Sequence, residues 1–110
     1  MTSAPERGDF VWISFDPQMG HEQAGVRPAI VLSPSAYNKR VGLALVCPIT
    51  SQCKGYPFEV RIPEGEPVHG LVLADQVKSL DWKARGIRGA GKAPTAVVVE
   101  TMEKLSTLLK

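Results

Sequence analysis

The chain has 110 residues, 44% of them hydrophobic, and a formal net charge of +2 from 13 basic and 11 acidic residues. That length suits a single domain over 1–110 with a loose start at 1–7, and so small a core gains from a partner or a second copy. The near balance of charge neither demands nor excludes nucleic acid; no signal-peptide pattern and no membrane-length apolar run is present, so the cytoplasm is the expected compartment, away from any membrane.

Gly8-Asp9 opens a strand over 10–15, where Val11, Ile13 and Phe15 alternate with Phe10, Trp12 and Ser14. Both of its faces are largely apolar, so it must be covered on two sides or curl into a barrel. The polar loop 18–25 follows, with His21 and Glu22. His21 reads as a surface residue, and Glu22 stands close in sequence to Arg27. Pro28 cannot donate to a ladder, which puts Arg27 at the mouth of the strand that continues to Ser33. Arg27 is then either a surface ion-pair partner of Glu22 or a phosphate clamp, because a guanidinium matches two phosphoryl oxygens at once. Ser33-Pro34 reads as a helix start for one or two turns.

An apolar run, 41–47, predicts the next strand, expected to stop at Pro48. The stretch after it, Pro48-Ile49-Thr50-Ser51-Gln52-Cys53-Lys54, sets hydroxyls, an amide, a thiol and an amine beside a Gly-Tyr-Pro turn signal. It reads either as a reaction site or as an ordinary turn. Cys47 and Cys53 are expected to be free thiols, with Cys47 packed. They and the two histidines give no metal-ligand spacing, and the glycines follow no cofactor fingerprint, so neither metal nor cofactor is expected. Phe58 to Ile62 alternates as a strand, and 68–73 is a strand interrupted by Gly70, which hints at a bulge. In 74–80, Gln76, Lys78 and Leu80 share one face. Gln76 and Lys78 meet either a base edge and a phosphate or open water. Lys78, Lys83, Arg85, Arg88 and Lys92 make 75–92 the clearly basic region. Trp82 reads as core, and 89–92 as a glycine-rich turn. Val98, Met102, Leu105 and Leu109 form one face of a final helix.

Gly25-Val26-Arg27-Pro28-Ala29-Ile30-Val31-Leu32-Ser33-Pro34 and Pro48-Ile49-Thr50-Ser51-Gln52 together resemble the MazF/PemK family of toxin endoribonucleases, nearest its MazF branch. Further marks are Glu22-Gln23-Ala24-Gly25, Lys54-Gly55-Tyr56-Pro57-Phe58-Glu59-Val60 and Leu73-Ala74-Asp75-Gln76-Val77-Lys78-Ser79. The resemblance implies a mainly β fold with short helices and a C-terminal helix, an SH3-like small barrel of the MazF/PemK/CcdB type. It also implies a homodimer, a cognate antitoxin, and metal-free cleavage of single-stranded mRNA that leaves a cyclic phosphate and a 5′-hydroxyl. The family's catalytic arginine falls on Arg27, its threonine on Thr50 and its first-loop glutamate on Glu22. The final helix departs from close relatives in starting Thr95-Ala96-Val97-Val98 rather than with acidic residues.

RNA can be cut by its own 2′-hydroxyl. The protein must then take up that proton, hold charge on the phosphoryl oxygens and help the 5′ oxygen leave. Arg27 suits the charge, Thr50 can donate to a phosphoryl oxygen, and Glu22 is the candidate base, with His21 its rival. His21, Lys54, Gln76, Lys78 and Arg85 are candidate RNA contacts. The alternatives are a non-catalytic nucleic-acid-binding module and a gyrase-poisoning toxin on the same fold.

Overall fold

Strands apolar on both sides need two covers, and the chain builds two cores, one on each face of its central strands. The structure, a computed structural model, describes residues 3–17 and 25–110. Their elements in chain order are β1 (Asp9–Ser14), β2 (Val26–Val31), α1 (Ser35–Val41), β3 (Leu43–Thr50), β4 (Glu59–Arg61), β5 (Leu71–Leu73), β6 (Lys78–Asp81), β7 (Arg88–Lys92) and α2 (Thr95–Ser106). The strands run in the order β4-β5-β3-β2-β1-β7, with β6 also paired to β3. The architecture is therefore mainly β with short helices and a helix last, as expected.

β3 is the hub. One edge pairs with β2 from Ala29↔Pro48 to Val31↔Val46. The other pairs first with β6, from Leu43↔Asp81 to Val46↔Lys78, and then with β5 at Ile49↔Val72 and Thr50↔Leu71. Because side chains alternate, Cys47 and Ile49 enter one core with Phe10, Ile30, Val60 and Val72, which Val97 of α2 helps to close. Ala44 and Val46 enter the other with Val11, Ile13, Ala29, Val31, Leu80 and Trp82. Full burial of each such Val, Ile or Phe contributes roughly 1.5–3 kcal/mol, so slipping β3 by one residue would exchange the two cores and expose neither to advantage.

Four expectations need correction. β3 does not stop at Pro48 but runs through it to Thr50. Pro48 faces Ala29 on one edge, and on the other it falls between the last β6 pair at Val46 and the first β5 pair at Ile49, where no donor is required. Residues 89–92 are not a turn; they lie in β7, paired with β1 across a bulge between Phe10 and Val11 that the glycines allow. Ser33 does not cap α1: its hydroxyl bonds Asn38 Oδ1 and accepts the Leu45 N–H. Asn38 is a buried hub that also binds the Pro5 and Ser33 carbonyls and receives the Trp82 Nε1–H.

The core face of α2 is the fourth. Val97 and Thr101 are buried and Val98 and Leu105 half-buried, whereas Met102 and Leu109 are exposed. α2 ends at Ser106, so Leu109 falls beyond it. Thr101 is tolerated in the core because its hydroxyl donates to the Val97 carbonyl at 2.8 Å. The polar start also makes specific contacts that its composition does not announce: Arg7 Nε donates to the Leu32 carbonyl at 2.7 Å, and Pro5 is buried. Among the described residues no helix is long and apolar enough to cross a membrane.

Candidate functional site

Strand register sets Arg27 and Thr50 at the same end and on the same face of the sheet. β2 and β3 are adjacent and antiparallel, and their last pair is Ala29↔Pro48. Arg27 lies two residues before Ala29 and Thr50 two residues after Pro48, so continuing the register puts them opposite each other on one face of the sheet. Pro28 sits opposite Trp12 of β1 and just beyond that last β2–β3 pair, where β2 has a partner on one side. Arg27 is half-buried, second in β2, at the strand mouth as its sequence suggests. Thr50 is 8% exposed, and its Oγ1 accepts the Gln52 N–H at 3.2 Å. That bond occupies a lone pair and leaves the hydroxyl proton available to donate.

From Thr50 the surface opens into a cleft of about 620 Å³ whose walls include Gln52, Lys54, Tyr56, Asp75 and Gln76. Lys54 and Gln76, both singled out from the sequence, therefore share one cavity with Thr50. Lys78 lies on β6 opposite Val46, on the same sheet face as Leu80 and Thr50. Arg85 is placed differently: its guanidinium donates to the Ser14 carbonyl at 3.1 Å and to the Asp16 carbonyl. It braces the end of β1, where Asp16 Oδ1 accepts the Gly25 N–H at 2.8 Å. Glu22 and His21 lie outside the described residues. Lys92, counted in the basic region, forms ion pairs with Asp9 and Glu6, which raise its pKa chiefly through the Asp9 hydrogen bond. Lys83 lies over the Trp82 ring, 5.6 Å from its centroid, and Trp82 is core as expected. Among the described residues no group of three or more His, Cys, Asp or Glu side chains could hold a metal ion.

With that geometry in hand, residues 6–109 match the model of the PemK-like, MazF-like toxins of type II toxin-antitoxin systems. The chain belongs to this family. It is 47% identical to the endoribonuclease toxin MazF of Escherichia coli K12 over 96% of this chain and 94% of that protein. It is 52% identical to a crystal structure of MazF from Deinococcus radiodurans, with a TM-score of 0.93 and 96% of each chain covered. It also matches a MazE-MazF crystal structure from that organism at 52% identity, TM-score 0.87, over 96% of each chain. The fold is thus the MazF/PemK barrel, and the chain lies near the MazF branch.

In this MazF-like chain, sequence reasoning left several residues at the cleft without a role. Gly70 is one. Its φ is +122°, and a Cβ built there would lie 2.3 Å from the Thr50 carbonyl oxygen, so only glycine lets this backbone pass beside Thr50. The signal was present as a glycine interrupting a strand pattern, but the sequence does not say what it lies against. Tyr56 and Asp75 are another case. The Tyr56 hydroxyl donates to Asp75 Oδ2, which raises the tyrosine pKa, while Asp75 Oδ1 is buried with no hydrogen-bond partner among the described residues. Glu59 is the third: its carboxylate accepts N–H groups from Lys54 and Tyr56.

Proposed function

We propose that this chain is a sequence-specific endoribonuclease toxin that cleaves single-stranded mRNA without a metal ion. The observation that carries this reading is the β2–β3 register, which, continued two residues past its last pair, sets Arg27 and Thr50 at matching positions on one sheet face, with Thr50 in a cleft that Lys54 and Gln76 also line. In the reaction the substrate's 2′-oxygen bonds to the adjacent phosphorus and the bond from phosphorus to the 5′-oxygen breaks. The products are a 2′,3′-cyclic phosphate and a 5′-hydroxyl. Glu22 accepts the 2′ proton, and the leaving oxygen takes a proton from water. Arg27 holds the charge that develops on the phosphoryl oxygens and Thr50 donates its hydroxyl to one of them. No metal is required because the nucleophile belongs to the substrate, and DNA, lacking a 2′-hydroxyl, is not cut.

By the same membership, a cognate antitoxin with an acidic, extended tail occludes the RNA path, and the active species is a homodimer. Exposed Leu45, Met102 and Leu109 around an apolar cleft of about 490 Å³ give a second copy apolar surface to bury.

The deciding experiment incubates the purified protein with a long mixed-sequence RNA in EDTA and maps the new 5′ ends. Discrete cuts bearing 5′-hydroxyls, absent from DNA of the same sequence, are the expected outcome. RNA that is bound and released intact would make the chain a binding module. Cleavage abolished by EDTA would remove the metal-free mechanism.

A further inference from the structure

Thr50 is fixed by a β ladder, but the residues that follow it are not. Residues 51–57 have no strand partner and are exposed, yet they supply Gln52, Lys54 and Tyr56 to the cleft. Two carboxylates hold them. Asp75 takes the Tyr56 hydroxyl. Glu59, the first residue of β4, takes three donors from one loop: the Lys54 N–H at 3.1 Å on Oε2, the Tyr56 N–H at 3.2 Å on Oε1, and the Cys53 thiol, with Sγ 3.8 Å from Oε1. The two amides converge because Gly55 between them has φ +71°, a conformation that turns N–H groups on either side toward one anion. Glu59 is itself anchored: its N–H donates to the Tyr56 carbonyl at 3.1 Å, and its carbonyl accepts Lys104 Nζ of α2 at 2.8 Å. A carboxylate with an anchored backbone and three donors from one loop is a fixed template for that loop.

We propose that Glu59 is a positioning residue for RNA cleavage. Its carboxylate sets the path of residues 52–56, so that the Lys54 amine and the Gln52 amide meet the substrate that Thr50 and Arg27 act upon. This inference rests on the nuclease reading above. It assigns Glu59 no contact with RNA; the effect passes through Lys54 and Gln52.

The test compares the full-length wild type with Glu59→Ala, Glu59→Gln, Lys54→Ala and the Glu59→Ala/Lys54→Ala double variant. Single-turnover cleavage, cut-site maps and amide hydrogen exchange are measured on each. Glu59→Ala is expected to lose exchange protection at the Lys54 and Tyr56 amides, to cut about tenfold more slowly with saturating enzyme, and to relax its choice of sites. Glu59→Gln, which keeps one accepting oxygen, should fall between. Lys54→Ala should add little in the double variant, a non-additivity that a merely structural glutamate does not produce. Wild-type rates and sites in Glu59→Gln and Glu59→Ala would overturn the proposal, as would additive losses. So would tighter RNA binding by Glu59→Ala, which would make the carboxylate a competitor for an anion site. If Glu59→Ala does not fold, Glu59→Gln carries the same measurements. A wild type that cuts no RNA would sink the nuclease reading by itself, and exchange at Lys54 and Tyr56 would still decide whether Glu59 holds the loop.

Discussion

β3 and the loop after it adjoin in sequence and at the cleft, yet different forces hold them. Thr50 sits on a strand bonded along both edges, with β2 on one side and β6 then β5 on the other. Gln52 and Lys54 sit on a loop held by side chains, chiefly the carboxylates of Glu59 and Asp75. The ladder places a residue through many backbone bonds and two cores, so no single substitution far away moves it. The loop depends on a few acceptors, and one substitution releases it. In the proposed mechanism the Thr50 contact to the phosphoryl oxygens falls in the rigid region, and the adjustable reading of substrate by Gln52 and Lys54 in the soft one.

The largest expected effect breaks the rigid side. Arg27→Ala should lower single-turnover cleavage about a thousandfold or more, since an arginine acting on transferring phosphoryl charge is worth that much elsewhere. Thr50→Ala should cost roughly a hundredfold, the usual loss for one transition-state donor. Both variants should keep the wild-type circular dichroism, because neither side chain is a large core group. If Arg27 is only a surface ion-pair partner, its removal should cost under about 1 kcal/mol of stability and little activity. A folded Arg27→Ala protein that cuts within a few-fold of the wild-type rate would take the proposed site with it.

A subtler break leaves every reacting group in place. Gly70→Ala puts a Cβ 2.3 Å from the Thr50 carbonyl oxygen at a φ of +122°. Backbone atoms cannot swing aside as a side chain does, so β3 must shift at Thr50. The strain should cost about 1–3 kcal/mol of stability. The displacement should slow cleavage about tenfold to a hundredfold. Gly91→Ala is the matched control: its φ is +115° and its added Cβ would meet Pro67 Cγ at 2.7 Å. It lies on β7, three places from β3 in the sheet order. Its stability should fall comparably while the rate per folded molecule holds. Equal rate losses in the two would show that Gly70 supports the fold in general rather than Thr50.

The same contrast explains what was legible in the sequence. Strands with period-two apolar residues were readable, because register follows from the alternation that sorts Val31 and Val46 to one core and Ile30 and Cys47 to the other; the roles given to Arg27 and Thr50 rest on the family resemblance and not on that alternation. Pro48 misled because its tolerance depends on which neighbours β3 has at that point, a matter of pairing and not of propensity. Glycines at 89 and 91 suggested a turn because the partner β1, about eighty residues away, supplies the pairing. Arg85 counted as basic surface because nothing local announces that its guanidinium reaches the Ser14 and Asp16 carbonyls. The Glu59 and Asp75 contacts with the loop are side-chain geometry, which leaves no periodic trace.

The smallest effect sharpens the comparison, because one cysteine stands in each region. Cys47 is buried on β3 and Cys53 is exposed in the loop. Burial, and then the nearby Asp75 charge, push the Cys47 thiol from 9.0 up to about 12. Only a thiolate reacts readily with a disulfide reagent. At pH 8 the folded protein should therefore lose one thiol quickly, from Cys53, and the second only after unfolding. The pH dependence follows from the same shift. Below 9.0 both folded and unfolded chains keep the Cys47 proton, and it contributes no slope. Between 9.0 and about 12 the unfolded chain releases the proton while the folded one retains it, so stability should fall as pH rises through that window. The loss is at most about 1.4 kcal/mol per pH unit. Urea unfolding at pH 8 and pH 10, in the wild type and in Cys47→Ala, isolates it, because the variant removes this slope and leaves those of Tyr56 and Lys92. A Cys47 that labels as fast as Cys53 in the folded protein would mean that β3 opens as easily as the loop beside it, and the division between rigid chemistry and adjustable recognition would fail there.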